Sequence, residues 1–352
     1  MTSKERVLKA VNSEEADRVP LDYFAMPEID ERLKLHLGVK TREELLQKLG
    51  IDFRIVAGKY KGAIPQPPAE GIIMDEWGVG RKAVSHGTGV YNQECCRPLE
   101  NARTVDEVEN HRWPSAEDYD FSGIREECKM KKEYAICGSG PTADWINRAS
   151  YLRGFDNFLV DLAEENPVSL RILDKMTDFY CQYDKRLLEE AGGGIDILWI
   201  GDDYGTQKGL LLSREMWRKV IRPHVARIII LAHDHGAKIM FHSCGSIREL
   251  MPDLIETGVD IIDTLQPEAK GMAPSELKGE FYGKVAFHGM ISTAGTLACG
   301  KPENVRREVM ERLRVMKPGG GYMLAPTHFI QSNTPEENIV EMYKTAREYG
   351  CY

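Results

Sequence analysis

A histidine and a cysteine stand two residues apart after a short apolar run: His242 and Cys244 follow residues 239–241. The run is typical of a buried β-strand, and Gly245 and Ser246 end it before a helical pattern begins. Because residues i and i+2 of an extended chain lie on the same face, the imidazole and the thiolate point the same way. Nitrogen and sulfur are donors that Zn²⁺ prefers in proteins. The spacing therefore predicts part of a metal site, which more distant residues must complete.

We expect the third ligand to be His328, which follows the last apolar run of the chain. With His242 and Cys244 it would provide three protein ligands and leave one open position, as in catalytic zinc sites. Asp202 and Asp203 also follow an apolar run. They could act as a fourth ligand, as a hydrogen-bond partner of a histidine or as a catalytic base. The more ordinary interpretations are that His328 binds substrate or packs in the core, and that the two aspartates cap a turn.

Further polar residues are candidates for substrate contact because they lie at or just after the ends of predicted strands. This group consists of Ser139, Tyr204, Gln207, Gln266 and His288. His288 also has a structural interpretation, since it precedes Gly289 and could pack against the wall of the fold. The adjacent Cys95 and Cys96 are interpreted as structural, because neighbouring thiols chelate one metal ion poorly.

Eight short β-type segments, most of them separated by helical patterns, would position these residues. The predicted strands cover residues 17–24, 51–57, 134–140, 195–200, 239–241, 260–265, 284–289 and 321–328. Eight parallel βα units are the number that a TIM barrel requires, and in that fold the chemistry takes place at the carboxyl ends of the strands. We therefore predict an α/β fold, a TIM (β/α)8 barrel over residues 1–352, with a doubly wound open sheet as the alternative.

Two additions to the barrel are expected. An N-terminal helical extension opens the chain, where Thr2 and Glu5 have the spacing of a capping box. Residues 60–99 are rich in glycine, proline and short β-prone pieces, which predicts a β-hairpin insertion within the one domain. We expect this insertion to line the site or to contact a partner.

Composition limits the classes of function. The chain has 352 residues, of which 42% are hydrophobic and 29% charged, a balance typical of globular proteins. Its net charge of -9 and the lack of a basic block argue against nucleic acid and anionic membrane surfaces as partners. No apolar run approaches the roughly 18 residues of a membrane span. There is no signal-peptide pattern, and the eight cysteines lack regular spacing, so we expect a cytoplasmic protein with reduced thiols.

Several motifs together resemble the uroporphyrinogen decarboxylase superfamily over nearly the whole chain. They are Gly-Asp-Asp-Tyr-Gly-Thr-Gln at 201–207, Phe-His-Ser-Cys-Gly at 241–245, Gly-Val-Asp at 258–260, Gly-Gly-Gly-Tyr at 319–322, Ala-Pro at 325–326, Asn338, Arg-Val-Leu at 6–8, Asp-Arg-Val-Pro at 17–20 and Arg-Gly-Phe at 153–155. The resemblance implies a TIM barrel, in agreement with the strand count.

The superfamily has two main branches, and the chain is more similar to the second. The decarboxylases carry an Arg-Gln-Ala-Gly-Arg motif near the amino end, whereas here no arginine follows Pro20 until Arg32. The second branch consists of zinc methyltransferases that exchange methyl groups with a corrinoid protein. Their third zinc ligand is a cysteine after Ala-Pro-Gly, where this chain has Ala-Pro-Thr and His328. A neutral imidazole in place of a thiolate makes the site one charge more positive, which suits a substrate oxygen.

The resemblance thus implies the substrate-side methyltransferase of an O-demethylase. It would transfer a methyl group from a small-molecule methyl ether, with an aromatic ether expected, to the cob(I)alamin of a separate corrinoid protein. Zn²⁺ is the expected metal, and cobalamin is the cofactor that the partner carries. Three alternatives stay open: methyl transfer from a methyl-corrinoid to a thiol or tetrahydrofolate, a metal-free decarboxylase-like enzyme, and a non-enzymatic module that binds a corrinoid protein. The oligomeric state is open, and a homodimer is compatible with the sequence.

Overall fold

The computed structural model describes residues 1–85, 90–141 and 143–352. Its strands are β1 (Phe53–Ala57), β2 (Lys59–Tyr60), β3 (Ile72–Met74), β4 (Gly80–Ser85), β5 (Val90–Cys96), β6 (Tyr119–Asp120), β7 (Ala135–Ser139), β8 (Ile197–Gly201), β9 (Lys238–His242), β10 (Ile261–Leu265), β11 (Ala286–Ile291) and β12 (Tyr322–Pro326). Its α-helices are α1 (Ser3–Val11), α2 (Pro27–Leu37), α3 (Arg42–Leu49), α4 (Val105–Glu109), α5 (Ile124–Met130), α6 (Ile146–Arg153), α7 (Phe155–Ala163), α8 (Pro167–Ala191), α9 (Arg214–Met216), α10 (Arg222–Asp234), α11 (Met251–Thr257), α12 (Pro274–Phe281), α13 (Pro302–Met316) and α14 (Glu336–Tyr349). Among the residues in these ranges, no helix is long and apolar enough to span a membrane.

Seven parallel strands form the central sheet of the described residues, in the order β1-β7-β8-β9-β10-β11-β12. The extended segment 19–25 occupies the eighth position. Leu21 forms a parallel bridge with Leu324 of β12, and on its other side the carbonyl of Leu21 accepts a hydrogen bond from the N–H of Asp52 at 2.9 Å. The segment therefore contacts both β12 and the start of β1. This arrangement confirms the prediction of a TIM-type α/β barrel.

The eighth strand is irregular for a reason that lies in its own residues. Pro20 has no N–H to donate to a neighbouring strand. The N–H of Leu21 is bound by the carboxylate of Asp52, at 2.8 Å, rather than by a backbone carbonyl. The segment consequently makes isolated bridges instead of a continuous ladder.

The amino-terminal half of the barrel interior is an apolar layer closed by α1. The helix begins at the predicted capping box, in which the Thr2 hydroxyl accepts a hydrogen bond from the Glu5 N–H and the Glu5 carboxylate accepts one from the Thr2 N–H. The apolar layer is formed by Val7, Ala10, Phe53, Ala135, Cys137, Ile197, Met240, Ile261, Ala286 and Met323. Each of these residues is almost fully buried, so this end of the barrel is a packed core.

The predicted insertion forms a three-stranded antiparallel sheet, β3-β4-β5. Residues 86–89 of that prediction lie outside the described residues. Asp75, in the turn between β3 and β4, accepts hydrogen bonds from Arg81 at 2.7 Å and from Arg148 of α6 at 3.5 Å. The insertion is thereby attached to α6, the helix whose first turn reaches the candidate site.

Candidate functional site

Three potential metal donors meet where β8 and β9 end. His242 is the last residue of β9, Cys244 lies two residues beyond it, and Asp203 lies two residues beyond β8. His242 Nε2 is 3.6 Å from Cys244 Sγ and 3.6 Å from Asp203 Oδ1, and the three donor atoms all lie within 4.8 Å of one another. Tetrahedral Zn²⁺, with bonds of about 2.0–2.3 Å, separates such ligands by about 3.3–3.7 Å. The size and the donor chemistry of this group therefore fit zinc.

A buried polar chain, consisting of Asp22, His288, Asp263 and His242, leads from the barrel wall to this group. Asp263 Oδ2 lies 3.0 Å from His242 Nδ1 and also accepts a hydrogen bond from Trp199 Nε1 at 3.0 Å. Asp263 Oδ1 lies 2.6 Å from His288 Nδ1, and His288 Nε2 lies 3.2 Å from Asp22 Oδ2. A carboxylate on one ring nitrogen of a histidine leaves the other nitrogen oriented toward a metal. Asp263 holds His242 in this way.

Opposite charges decide the protonation of the buried polar chain. Burial alone would raise the pKa of Asp263, but His288 and His242 hold it well below its usual range. Burial alone would lower the pKa of His288, but Asp263 and Asp22 raise it to about 9. His242 behaves similarly, since hydrogen bonds to Asp203 and Asp263 overcome burial and raise its pKa well above the ordinary value. The surroundings of His242 thus favour positive charge, which a divalent cation would supply.

Asp203 faces the three-donor group directly. Its Oδ1 accepts a hydrogen bond from the Cys244 N–H at 2.9 Å, and its Oδ2 accepts one from Asn147 Nδ2 at 3.4 Å. Burial opposes its ionisation, but the hydrogen bond and charge of His242 hold the pKa of Asp203 well below its usual range. The carboxylate is therefore ionised and positioned to act as a metal ligand.

Asp202 points away from the site and caps α6. Its carboxylate accepts hydrogen bonds from the N–H groups of Trp145 at 2.9 Å and Asn147 at 3.0 Å, and also from that of Ile146. The side chain is buried, and burial together with Asp144 raises its pKa to about 7. Asp202 holds α6 against the end of β8, so its contribution to the site is to position Asn147.

His328 lies two residues beyond β12, next to the three-donor group. The centroid of its ring is 6.3 Å from that of His242. Burial lowers the pKa of His328, and the charge of His242 acts in the same direction, so its ring is mainly neutral at pH 7. The structure brings His328 close to His242 but outside the tight group of three, and its role as a ligand stays a prediction.

A cavity of about 700 Å³ opens beside His328 at the carboxyl ends of β10, β11 and β12. It is lined by Gln207, Gln266, Glu268, Thr293, Ala294, Gly295, Ala298, Thr327, His328, Phe329, Gln331 and Asn333. Gln207 Nε2 donates to Gln266 Oε1 at 3.4 Å, and the same oxygen accepts a hydrogen bond from the Gly245 N–H at 2.8 Å. Among the described residues, the lining contains one carboxylate and no lysine or arginine, so it favours a ligand without negative charge.

An aromatic wall formed by Phe24, Trp199 and Phe329 joins this cavity to the metal donors. Phe24 stacks on Trp199, with ring centroids 6.1 Å apart, and meets Phe329 edge to face at 5.8 Å. The ring centroid of Trp199 lies 5.7 Å from that of His242, and the centroid of Phe329 lies 5.8 Å from that of His328. Aromatic side chains in this arrangement provide flat apolar surface on which another ring can pack.

Two predicted substrate-contact residues, Tyr204 and His288, are buried away from the cavity. Tyr204 is 1% exposed and its ring packs between Phe241 and Trp217 in the core. Ser139 ends β7, where its carbonyl accepts a hydrogen bond from the Tyr183 hydroxyl, and its contact with substrate stays a prediction. His288 is completely buried within the buried polar chain, in line with the structural interpretation of this residue.

A family model for uroporphyrinogen decarboxylase matches residues 101–349, which is well over half of the chain. The chain belongs to the uroporphyrinogen decarboxylase family. This confirms the family that the sequence motifs indicated. All of the metal-donor candidates, Asp203, His242, Cys244 and His328, lie within the matched residues.

Comparison with solved structures shows that this family member shares its fold with a methyltransferase from Methanosarcina mazei. The two chains are 19% identical, and the match covers 99% of each with a TM-score of 0.67. A sugar phosphate isomerase/epimerase from Parabacteroides distasonis is 11% identical over 95% of this chain and 96% of its own, with a TM-score of only 0.40. A search of curated proteins finds no match.

Four residues of this family member's site were not predicted from the sequence: Asp263, Asp22, Phe24 and Asn147. Asp263 left a detectable signal, since it is the one charged residue of β10, a strand whose five residues are all buried. A charge inside such a strand is costly unless it is paired, so it predicts a partner. Phe24 and Asn147 left no such signal, because an aromatic residue in a strand and an asparagine on a helix are unremarkable in themselves.

Proposed function

We propose that this protein is a zinc-dependent methyltransferase that transfers a methyl group from a methyl ether to the cob(I)alamin of a separate corrinoid protein, as part of an O-demethylase. The observation that carries the proposal is the group of Asp203, His242 and Cys244 at the open end of the barrel, beside a cavity with an aromatic wall. Membership of the uroporphyrinogen decarboxylase family and the fold shared with a methyltransferase support the class of reaction.

Asp203, His242 and Cys244 would hold the zinc, with His328 beside it. Zinc bound there would act as a Lewis acid that polarises the ether oxygen and stabilises the negative charge this oxygen gains. Asp263 maintains the orientation of His242, and Asn147 maintains that of Asp203. These contacts place the donors before the substrate arrives, which reduces the reorganisation needed during the reaction.

The cavity suits a neutral aromatic ether. Phe24, Trp199 and Phe329 would pack against the ring of the substrate, and Gln207 and Gln266 would hydrogen-bond its polar substituents. A porphyrinogen with its many carboxylates, or an anionic thiol, would find no lysine or arginine among the residues that line the cavity. This observation favours the ether over the alternative substrates of the family.

The reaction breaks the bond between the methyl carbon and the ether oxygen. The methyl group bonds to the cobalt of the partner, whose electron pair forms the new bond, and the oxygen keeps the electron pair of the broken bond. The leaving oxygen then takes up one proton. His328 lines the cavity and is neutral near pH 7, so it is placed to exchange this proton with water.

The test combines two measurements. Metal analysis counts the zinc ions per chain, and the change in the corrin spectrum monitors methyl transfer from methoxyarenes to free cob(I)alamin. We expect one zinc ion per chain and methyl transfer in the wild type, and the loss of both in His242→Ala. His233→Ala, which removes a partly exposed histidine on α10, is the matched control and should retain both. Full activity of His242→Ala, or protein without zinc that is fully active, would contradict the proposal.

A second measurement decides which residue is the third zinc ligand. Asp203→Ala and His328→Ala are compared by competition for zinc with a chelator. Loss of an outer-shell partner lowers zinc affinity by about 10–100-fold, and loss of a ligand lowers it further. We expect the larger loss in Asp203→Ala, because Asp203 lies within the three-donor group. The reverse order would assign the ligand role to His328.

A further inference from the structure

A second group of sulfur atoms lies outside the barrel, in the three-stranded sheet of the insertion. Met74, Gly80 and Cys96 form one row across β3, β4 and β5, because Met74 pairs with Gly80 and Gly80 pairs with Cys96. Residues in such a row project on the same face of the sheet. A Cβ on Gly80 would lie 2.9 Å from Met74 Sδ and 2.9 Å from Cys96 Sγ. The glycine thus leaves a gap that two sulfur atoms enter from opposite sides.

A β-bulge places Cys95 beside them. The register between β4 and β5 shifts after Gly80, so that Gly80 pairs with Cys96 and Arg81 pairs with Glu94, and Cys95 is the additional residue. The interpretation of Cys95 and Cys96 as poor chelators assumes a regular strand, in which two neighbouring side chains point to opposite faces. The bulge breaks this alternation and removes that objection. The Sγ atoms of Cys95 and Cys96 lie only 3.9 Å apart, and the Cys95 thiol donates a hydrogen bond to the Gly80 carbonyl at 3.4 Å.

We propose that Cys95, Cys96 and Met74 bind a soft monovalent cation, Cu(I). Two thiolates on one ion with bonds of about 2.3 Å lie about 3.8–4.0 Å apart, in agreement with the 3.9 Å between the two Sγ atoms. Thiolate and thioether ligands together select Cu(I) over harder cations. The two thiols release their protons to solvent when the ion binds, and no electron is transferred.

The ion can reach this site from solvent. Cys95 is exposed, and Cys96 and Met74 are half-buried. The site shares no residue with the three-donor group at the end of β8 and β9, so loss of either site leaves the other intact. The insertion, which was expected to wall the pocket or contact a partner, would then also carry a metal site.

The test is an anaerobic titration of the full-length protein with Cu(I), in the presence of one equivalent of zinc and a chromophoric Cu(I) chelator. We expect the wild type to retain one more Cu(I) than Cys96→Ser under the same competition. Cys299→Ser, which removes an exposed thiol that has no sulfur neighbour among the described residues, is the matched control and should bind as the wild type does. Cys244 is present in all three proteins, so the difference reports on the insertion alone.

Two further variants test the geometry rather than the thiols. Met74→Leu keeps both cysteines and nearly the same apolar volume, and we expect it to lower Cu(I) affinity by about 100-fold or more, because a ligand is lost. Gly80→Ala fills the gap between Met74 and Cys96 and should abolish retention of the ion although the number of titratable thiols is unchanged. Thermal unfolding of each variant reports whether the chain is folded. Equal Cu(I) retention by the wild type, Cys96→Ser and Met74→Leu would overturn the proposal.

Discussion

The two halves of the barrel interior contrast sharply although the same strands build both. Near the amino ends of β9, β10 and β11 the interior residues are apolar and fully buried: Met240, Ile261 and Ala286. Two residues further along the same three strands stand His242, Asp263 and His288, which belong to the buried polar chain. Two residues along each strand thus separate the apolar layer from the buried polar chain.

The contrast teaches how a barrel can combine stability with reactivity. Residues i and i+2 of a strand face the same interior, so the sequence can change the character of the interior without changing the backbone. The apolar layer and α1 exclude water from one end of the barrel. Hydrogen bonds and charge pairs of the adjacent polar chain are stronger in this surrounding of low dielectric constant. The apolar half therefore supports the electrostatics of the polar half.

The largest effect should follow from an acidic residue in the apolar layer. Met240→Asp places a carboxylate among apolar side chains, and we expect it to lower the free energy of unfolding by more than about 4–5 kcal/mol, because no partner is in reach. Chemical denaturation measures this loss. Met240→Leu is the control and should cost less than about 1.5 kcal/mol. A stably folded Met240→Asp protein would mean that the apolar layer is not a closed core.

Removing charge from the polar half should have the next largest effect. Asp263→Asn leaves His242 and His288 without their shared carboxylate, and we expect a loss of about 3–5 kcal/mol in stability. Zinc affinity should also fall by about 10–100-fold, because His242 loses its orienting partner.

Asp260→Asn, near the start of the same strand, is the matched control for Asp263→Asn. Asp260 pairs with His233 and Lys238, which are both about 40% exposed, and an asparagine oxygen can still accept the hydrogen bond from the Ile239 N–H. The substitution should therefore cost no more than about 1 kcal/mol and should leave zinc binding unchanged. Equal effects of the two substitutions on zinc affinity would show that Asp263 does not orient His242.

Asp184 is a buried carboxylate that forms no such pair with the residues the structure describes, and its pH dependence sharpens the comparison. Burial alone raises the pKa of Asp184, in α8, to about 8, above the unfolded value of about 3.9. The folded state therefore binds more protons between these values, so stability falls as pH rises through this window, by up to about 1.4 kcal/mol per pH unit.

Denaturation at several pH values between about 5 and 8 measures this slope, to which the raised pKa values of Asp202 and His288 also contribute. We expect Asp184→Asn to make the slope shallower by up to about 1.4 kcal/mol per pH unit. Asp178→Asn, on the same helix, replaces a half-exposed carboxylate paired with Arg227 and should keep the wild-type slope. Identical slopes in the wild type and Asp184→Asn would show that this carboxyl group is not protonated in the folded protein.

The smallest effect concerns the helix that closes the apolar layer. Thr2→Ala removes the capping box of α1, and we expect a loss of about 1 kcal/mol in unfolding free energy. Thr2→Ser keeps the hydroxyl and should retain most of that stability. A loss of several kcal/mol in Thr2→Ala would mean that α1 contributes more to the barrel than its cap and its two buried apolar residues suggest.

Much of the site could be predicted because strand ends are readable from local patterns. The apolar run before His242 and Cys244 predicted that they project together, and the structure places their Nε2 and Sγ atoms 3.6 Å apart. The distinction between Asp202 and Asp203 could not be predicted. Both follow β8, and only the position of α6 decides that Asp202 caps a helix while Asp203 faces the metal donors.

Local sequence patterns thus determined the positions of the eight β-type segments, the barrel that these segments imply and the His-x-Cys pair. They could do so because hydrophobic periodicity, capping and turn residues act over a few positions. Only the tertiary structure decided that Asp263 orients His242, that Tyr204 is core and that Phe24 packs between Trp199 and Phe329. Those outcomes depend on the register between strands and on the closure of the barrel, which bring together Asp263 and His242, 21 positions apart, and residues as distant in sequence as Phe24 and Phe329. No local pattern encodes such distances, since they arise when all the strands pack around one interior.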